Sequence, residues 1–400
     1  MTSPTDTSFP NRIPGWLLLM GLLTALGPLA IDMYLPAFPA IAQDLGTHHG
    51  HVEQTLAGYL FGLALAQLFY GPIADRFGRR RPLLLGLCIF IIATMGCAQA
   101  QDIGHLVGWR IAQAFGGAAG MVIPRAVIRD NFDTRDASRA LSLLLLIMGV
   151  TPILAPILGG QLLIWTSWRW IFHAMTLIAG LLLLSAMIGM RETLAREYVT
   201  PLRPGIIARN YRELLAHRRF LCYTLAGGFG SAGMFTYIAG SPRIFMEIYG
   251  VDPRWFGVLF GLNAAALIVS SQISARLLSR HAPEQLLRRA QVSLVAMTIP
   301  ALALTLADQL DLIMLMFSLM GFMASQGFVN PNSAALALHE QGHRLGAASA
   351  MMGALQMLCG AGAGVLVSLW QSADALPLTG LLAACALLSW LFGRLALKGD

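Results

Sequence analysis

Long apolar segments alternate with short polar ones along the whole chain. Each apolar segment runs for about 20 residues, which is the length an α-helix needs to cross ~30 Å of hydrocarbon. The predicted spans cover residues 14–38, 52–72, 83–100, 103–126, 138–162 and 168–190, then 219–241, 253–275, 286–306, 310–336, 346–369 and 376–396. The pattern predicts an all-α membrane protein with twelve transmembrane helices.

The longest polar stretch lies near the middle of the chain and separates six predicted spans from six. This arrangement is typical of transporters in which two helical bundles rock against each other about a central site. We therefore predict an N-terminal bundle at residues 1–190, a cytoplasmic linker at 191–218 and a C-terminal bundle at 219–400.

The basic residues predict which side of the membrane each loop faces, because Lys and Arg in short loops are retained in the cytoplasm. With the N-terminus inside, nearly all of the 27 Lys and Arg residues fall on the cytoplasmic side. Arg169, Arg243 and Arg254 fall at external loops, and Arg110 falls within a span. Both termini are therefore predicted to be cytoplasmic.

The composition argues against a soluble protein. Only 12% of the residues are charged, whereas soluble domains carry about 25%, and the mean hydropathy is +0.65. The net charge of +7 is not gathered on a soluble domain, so no nucleic-acid partner is predicted. The five cysteines lie in apolar segments without metal-ligand spacing and are predicted to be buried free thiols.

The polar loop between the second and third spans has the sequence GPIADRFGRRRP at residues 71–82. Its glycines allow a tight turn, and Asp75 and Arg79 can pair at i,i+4. The loop resembles the major facilitator signature G-x-L-A-D-R-x-G-R-R, which implies a latch that stabilises one access state. The latch residues implied are Gly71, Asp75, Arg76, Gly78 and Arg79. The alternative is that the basic cluster only sets topology.

Further segments are similar to the Bcr/CflA (bicyclomycin resistance) family of drug:proton antiporters. They are IDMYLP at residues 31–36, SWRWIF at 167–172, GSP at 240–242, FG with GLN within 256–263, and ASA with GALQ within 348–356. The resemblance implies two six-helix bundles, a monomer in the bacterial inner membrane, and export of small antimicrobial drugs in exchange for protons.

The fifth span carries small residues and prolines at intervals of three or four, which places them on one helical face. They are Gly149, Pro152, Pro156 and Gly160. Such a face allows close packing and bending within a membrane. The segment resembles the antiporter motif that ends in G-P-x-x-G-G, with Ala155 in place of its first glycine, and implies a conformational role.

Asp32 and Arg110 are the charged residues predicted to act in proton coupling, because an ionisable group inside a membrane is costly unless it is paired or faces water. Both lie about 10 Å below the predicted external ends of their spans, at 1.5 Å per residue. Their similar depth predicts a direct or water-bridged pair. Two alternatives remain open: Asp32 caps the turn at Pro36, or Arg110 only anchors backbone carbonyls of span 1.

Other polar, aromatic or methionine side chains at similar depth are predicted to line a substrate cavity, although each alone is more often a packing residue. They are Met33, Tyr59, Gln113, Met148, Tyr237, Asn263, Asn330 and Gln356. Gln113 lies one turn after Arg110 and shares its face.

Two signals for metal chemistry are rejected. Residues 339–343 fit the zinc-protease pattern H-E-x-x-H, but they lie in a predicted internal loop that contains Gly342. The histidines at 48, 49 and 51 are interpreted as solvated loop residues. The chain also lacks the G-x-x-x-x-G-K-[ST] pattern of ATP-hydrolysing proteins. No cofactor, metal or enzymatic activity is predicted.

The leading hypothesis is a proton-driven multidrug efflux antiporter whose partners are small-molecule drugs, protons and the lipid bilayer. The alternative is a proton-coupled metabolite symporter or facilitator of the same fold. A symporter for a charged nutrient would favour several matched charges in the cavity, and few are present.

Overall fold

A computed structural model of the chain describes residues 14–195, 197, 199, 203–370, 372 and 374–397. Every regular element among them is helical, which confirms the all-α prediction. The α-helices are α1 (Gly15–Asp32), α2 (Phe38–Asp44), α3 (His49–Phe77), α4 (Arg80–Ala98), α5 (Ile103–Asn131), α6 (Thr134–Trp165), α7 (Arg169–Gly189), α8 (Pro204–Ala216), α9 (Arg218–Pro242), α10 (Pro253–Leu277), α11 (Pro283–Leu306), α12 (Leu312–Leu338), α13 (Leu345–Leu369) and α14 (Leu376–Leu397). A π-helix, Arg243–Ile248, follows α9.

Eleven helical segments of the described chain are long and apolar enough to cross a membrane. The remaining predicted span, 219–241, corresponds to α9, which is 25 residues long but rich in glycine and small polar residues. It packs against α12, α13 and α14 and is buried over most of its length. Because α9 meets protein rather than lipid, it needs fewer large apolar side chains. The spans form two six-helix bundles.

The structure corrects the first predicted span, 14–38. Helix α1 ends at Asp32, and a turn and the 3-10 helix Leu35–Ala37 separate it from α2. Proline at position 36 explains the break, since it has no N–H to donate to the Asp32 carbonyl four residues earlier. Asp32 is therefore the last residue of a helix rather than part of a continuous span.

The predicted linker, 191–218, contains a helix that the polar pattern did not predict. The Tyr211 hydroxyl of α8 donates to the Leu68 carbonyl at 2.9 Å, and Glu213 lies 2.6 Å from the Arg344 guanidinium. Helix α8 is thereby tied to both halves of the chain. Residues 196, 198 and 200–202 of the linker lie outside the described residues, and the predicted domain boundaries stay a prediction.

Cysteine burial differs from the prediction at one position. Cys97, Cys222 and Cys385 are buried and Cys359 is half-buried, but Cys88 is exposed on α4. All five are free thiols. An apolar segment predicts membrane insertion but not which of its faces meets lipid, so Cys88 was wrongly predicted as buried.

The two ends of the bundle differ in charge and packing. We call the end that carries the α3–α4 loop the arginine-rich end, and the other the opposite end. At the opposite end the halves pack closely: a Cβ on Gly257 of α10 would lie 2.9 Å from the Cα of Ile157 in α6. A Cβ on Gly364 of α13 would lie 3.3 Å from the Cβ of Ala57 in α3.

Gly159 allows α6 to pack against the turn that follows α1, because a Cβ at this position would overlap the carbonyl oxygen of Met33. We expect Gly159→Ala to destabilise the protein by about 1–3 kcal/mol, since backbone atoms would have to move. The measurement is the melting temperature in detergent. Gly180→Ala is the control, because its Cβ would meet nothing within 4 Å. Equal melting temperatures of the two variants would contradict this account.

Candidate functional site

Arg110 lies fully buried in α5 between two tyrosine rings. Its Cζ is 4.2 Å from the ring centroid of Tyr34 and 4.3 Å from that of Tyr59. Cation–π contacts in a desolvated site contribute about 2 kcal/mol or more. The two rings therefore stabilise a positive charge within the membrane without a carboxylate partner.

Hydrogen bonds hold one edge of the Arg110 guanidinium. Its Nη1 donates to Gln113 Oε1 at 2.6 Å, and Gln113 Nε2 donates to Thr94 Oγ1 at 2.8 Å. The Thr94 hydroxyl donates in turn to the Phe90 carbonyl at 2.5 Å. The Nε and Nη2 atoms of Arg110 have no hydrogen-bond partner among the described residues. Two donors of a buried cation thus remain available for water or substrate.

The two tyrosines are positioned by their own hydroxyls. Tyr34 Oη lies 3.0 Å from Thr55 Oγ1, which donates to the Val52 carbonyl at 2.6 Å. Tyr59 Oη donates to the Gly27 carbonyl of α1 at 3.4 Å. We call Tyr34, Tyr59, Arg110, Gln113 and Thr94 the Arg110 cluster. The cluster connects α3, α4 and α5 to the turn after α1.

Asp32 is 3% exposed, and its carboxylate makes no hydrogen bond or ion pair with a described residue. The predicted direct pair is absent, because no Arg110 nitrogen lies within 4.0 Å of its oxygens and tyrosine rings cover both faces of the guanidinium. The carboxylate does not cap the Pro36 turn either. It is within electrostatic range of Tyr59 and of Tyr237 in the other half.

Two predicted cavity residues of the C-terminal half carry unpaired polar atoms. Tyr237 stacks on Phe260 with 5.3 Å between ring centroids, and its hydroxyl has no partner among the described residues. Asn263 Nδ2 donates to the Leu259 carbonyl at 3.0 Å, whereas its Oδ1 is unpaired among them. Buried polar atoms are nearly always satisfied. The Tyr237 hydroxyl lies within reach of the Asn263 side chain, so the two residues form one polar spot in the C-terminal half.

The other predicted cavity residues lie in separate contacts. Gln356 Nε2 of α13 donates to Asn330 Oδ1 of α12 at 3.4 Å. Met33 is buried in the turn after α1, and Met148 is half-buried on α6. The predicted residues are thus distributed over both halves of the protein.

The predicted latch loop holds a network of ion pairs. Arg79 Nη1 lies 2.6 Å from Asp75 Oδ1, and Arg79 Nε lies 2.9 Å from Asp130 Oδ2 of α5. Burial lowers the pKa of Arg79, but the hydrogen bonds to Asp130 and Asp75 outweigh it and leave the pKa above its ordinary value. Gly71 lines a cavity described below, and Arg76 is exposed. The sequence predicted the Asp75 pair but not Asp130.

Glu192, which the sequence did not single out, completes the latch. Its carboxylate accepts hydrogen bonds from the backbone N–H groups of Arg79 and Arg80 at 2.7 and 3.1 Å, where α4 begins. Gly78 has a φ of 86°, and a Cβ there would overlap this carboxylate. A negative charge at a helix N-terminus is favourable. Glu192 therefore connects the segment after α7 to the latch loop.

We expect Glu192→Gln to destabilise the protein by about 1 kcal/mol, the usual loss when a helix N-terminal cap is weakened. Glu197, which lies in the same linker, offers the comparison Glu197→Gln. Thermal unfolding of both variants in detergent measures the effect. A melting temperature of Glu192→Gln equal to that of the wild type would show that the negative charge and second acceptor oxygen of Glu192 contribute nothing at this helix start.

The small-residue face of α6 packs against α10 of the other half. A Cβ on Gly149 would lie 3.4 Å from Cγ1 of Ile268, and one on Gly160 would lie 3.3 Å from the Pro253 carbonyl oxygen. Pro156 is buried in the same helix. Pro152, half-buried, completes the face. The close packing that the spacing predicted thus occurs between the two bundles.

A cavity of about 450 Å³ lies at the arginine-rich end, between α3, α5, α8 and α13. Residues of differing polarity line it, among them Gln67, Arg125, Arg129, Asn210, Tyr211 and Ser349. The two ends of the protein therefore differ in packing. The helices pack closely at the opposite end, whereas a cavity lies between them at the arginine-rich end.

The rejected metal signals lie in other contacts. Residues His339 and Glu340 follow α12 in a turn, and Glu340 pairs with Arg219 at 2.9 Å. His49 lies 2.8 Å from Glu247, and His51 lies 2.8 Å from the Thr47 hydroxyl. Within the described chain, no three His, Cys, Asp or Glu side chains are grouped as a metal site.

Comparison with known proteins identifies the family. The Major Facilitator Superfamily profile matches residues 20–366. The chain is 37% identical over 383 residues to an uncharacterized MFS-type transporter, YdgK, of Bacillus subtilis, covering 95% of this chain and 94% of the relative. It is 30% identical to a bicyclomycin resistance protein homolog of Haemophilus influenzae, covering 94% of each chain. It is 33% identical to the multidrug resistance protein MdtL of Klebsiella pneumoniae, covering 94% and 93%.

Solved structures agree on the fold. A D-xylose-proton symporter superposes with a TM-score of 0.74 at 13% identity, covering 94% of this chain and 97% of the other. An inward-facing bacterial homolog of the human lysosomal transporter Spinster superposes with a TM-score of 0.72 at 16% identity, covering 96% and 97%. The chain is thus a multi-pass membrane transporter rather than an enzyme, and it belongs to the major facilitator superfamily, in its Bcr/CflA branch.

Proposed function

We propose that this transporter is a proton-driven antiporter that exports small antimicrobial compounds from the bacterial cytoplasm across the inner membrane. The observation that carries the proposal is the buried Asp32 carboxylate, which has no ion-pair partner among the described residues and lies in electrostatic range of residues of both halves. The names of the bicyclomycin-resistance and MdtL relatives support drugs as the substrate class.

In this proposal Asp32 binds one coupling proton and releases it when substrate binds. A negative charge without a partner costs several kcal/mol inside a membrane, so Asp32 is stable there either as the neutral acid or when a substrate group or water contacts it. Arg110 holds the nearby tyrosines and offers two free donors. Tyr237 and Asn263 offer polar contacts from the other half.

We further propose that the arginine-rich end is cytoplasmic, so that both termini and the cavity face the cytoplasm and the opposite end is external. The bundles at residues 1–190 and 219–400 then rock as units about the α3–α13 and α6–α10 contacts. Latch residues such as Asp75 and Arg79 set the balance between the two access states. The working unit is a monomer.

Expression in a bacterial host without its major efflux pumps tests this function. We expect higher resistance to chloramphenicol or bicyclomycin, and drug accumulation that rises when a protonophore collapses the proton gradient. Unchanged susceptibility together with proton-dependent uptake of a metabolite would contradict drug export and favour the symporter alternative.

A further inference from the structure

Glu53 is a buried carboxylate that the function proposed above does not use. It lies one turn into α3, at the opposite end, and is 1% exposed. Its Oε2 atom has no hydrogen-bond partner among the described residues. A buried carboxylate oxygen without a donor is uncommon, because burying a charge without a partner is costly.

Charged groups of both halves meet around Glu53. Arg243 and Glu247, in the π-helix of the C-terminal half, act on it electrostatically. His49, one turn earlier in α3, lies 2.8 Å from Glu247. No described cation lies within 4.0 Å of the Glu53 carboxylate. Burial raises the pKa of Glu247, although the nearby His49 and Arg243 act to lower it.

Several other charged groups at this end form contacts of their own among the described residues, including the pair of Arg254 with Asp252 at the start of α10. Asp44 of α2 is bonded to Arg169 at the start of α7. Asp102 and His105, at the start of α5, bond to each other. Asp374, in the loop after α13, accepts hydrogen bonds within that loop. The described external ends of α4 and α13 carry no charged residue. Among the described residues, Arg243 and Glu247 are the charged groups that act electrostatically on Glu53.

Burial couples the protonation of Glu53 to the packing of the two halves. While the halves are packed, an ionised Glu53 would lose its hydration without gaining a close partner, so the neutral acid is favoured. Separation of the halves at this end admits water and allows ionisation. By thermodynamic linkage, a condition that protonates Glu53 must then favour the packed arrangement.

We propose that Glu53 is a proton-binding site of the external face, distinct from Asp32, and that its protonation holds this face closed. The proposal rests on the proposed orientation, in which the opposite end is external, but not on which substrate is carried. The carboxylate takes a proton from external water while the face is open and returns it there on reopening. This proton sets the balance between access states and is not itself carried across.

Distance measurements between spin labels test this proposal without any drug. Gln101 and Gln309 are exposed in loops of the two halves at this end. The substitutions Gln101→Cys and Gln309→Cys, made in a variant whose five native cysteines are alanine, provide the two labelling sites. In lipid nanodiscs we expect the population of long distances to grow as the pH rises. Glu53→Gln, which mimics the neutral acid, is expected to lower that population about fivefold at high pH.

Two variants separate Glu53 from its neighbours. Glu53→Asp retains a titratable group and is expected to retain the pH dependence, which also guards against a folding defect in Glu53→Gln. Glu247→Gln removes the partner of His49 and is expected to increase long distances at every pH while leaving a titration. A Glu53→Gln titration that superimposes on the wild type, or a wild type without pH dependence, would overturn the proposal. If the protein carries no drug but Glu53 acts as proposed, the pH dependence of these distances is still expected, so failure of the proposed function is distinguishable from failure of this proposal.

Discussion

Asp32→Asn is expected to reduce proton-driven drug transport to the level of empty vesicles while the protein stays folded. Asparagine has nearly the same shape as aspartate but cannot bind or release a proton in this pH range. The carboxylate has no described hydrogen bond or ion pair to lose, and removing an uncompensated buried charge does not destabilise a fold. We therefore expect a melting temperature equal to or above that of the wild type.

The measurements are drug accumulation by everted membrane vesicles and thermal unfolding of the purified protein. Asp102→Asn is the matched control, because Asp102 is an exposed N-cap of α5 and asparagine caps helices about as well. It is expected to transport at the wild-type rate. Retained pH-driven accumulation in Asp32→Asn would exclude Asp32 as the coupling site.

Arg110→Lys is expected to lower transport at least ~10-fold and to destabilise the protein by about 2 kcal/mol or more, because an ammonium cannot stack its plane on two rings. The Tyr34 and Tyr59 rings would lose the group between them. Gln113 Oε1 would also lose the hydrogen bond that Arg110 Nη1 donates to it at 2.6 Å. Transport per folded molecule and melting temperature are the two measurements.

These two readouts separate a coupling role for Arg110 from a purely structural one. If Arg110 only anchors the helices, Arg110→Lys would lower the melting temperature and the amount of folded protein, but each folded molecule would transport normally. Arg209→Lys on α8 is the control, since Arg209 is exposed and, among the described residues, pairs only with Glu213 at 3.7 Å. A wild-type transport rate in Arg110→Lys would contradict the proposed role.

The length of apolar segments predicted the helices of this fold, but local and tertiary details needed the structure. The break after Asp32 follows from Pro36. A prediction based on apolar length continues the span past this break, because Leu35, Pro36 and Ala37 are all apolar. Helix α8 was missed because it lies in a polar segment, and only Leu214 and the half-buried Tyr211 pack on other helices.

The candidate site was predictable where its contacts are local in sequence. The i,i+3 spacing of Arg110 and Gln113 and the i,i+4 spacing of Asp75 and Arg79 indicated both pairs before the structure showed them. By contrast, the stacking of Tyr34 on Arg110 depends on how a turn lies against another helix. No sequence spacing indicates such a contact.

Acidic residues near predicted loops were missed for a related reason. Glu53 and Glu192 lie close to the ends of helices, where carboxylates are usually solvated. Glu53 is buried because the second bundle covers it, and Glu192 is engaged because Gly78 brings the latch loop close. Both environments are built from segments far apart in the chain.

Proton release from acid-loaded proteoliposomes tests the central claim of proton/drug antiport most directly. Chloramphenicol or bicyclomycin is added outside, and a pH-sensitive dye follows the protons that leave in exchange for the drug. The account predicts release by the wild type and none by Asp32→Asn. Proton movement in the direction of the substrate, or equal release by both proteins, would contradict it.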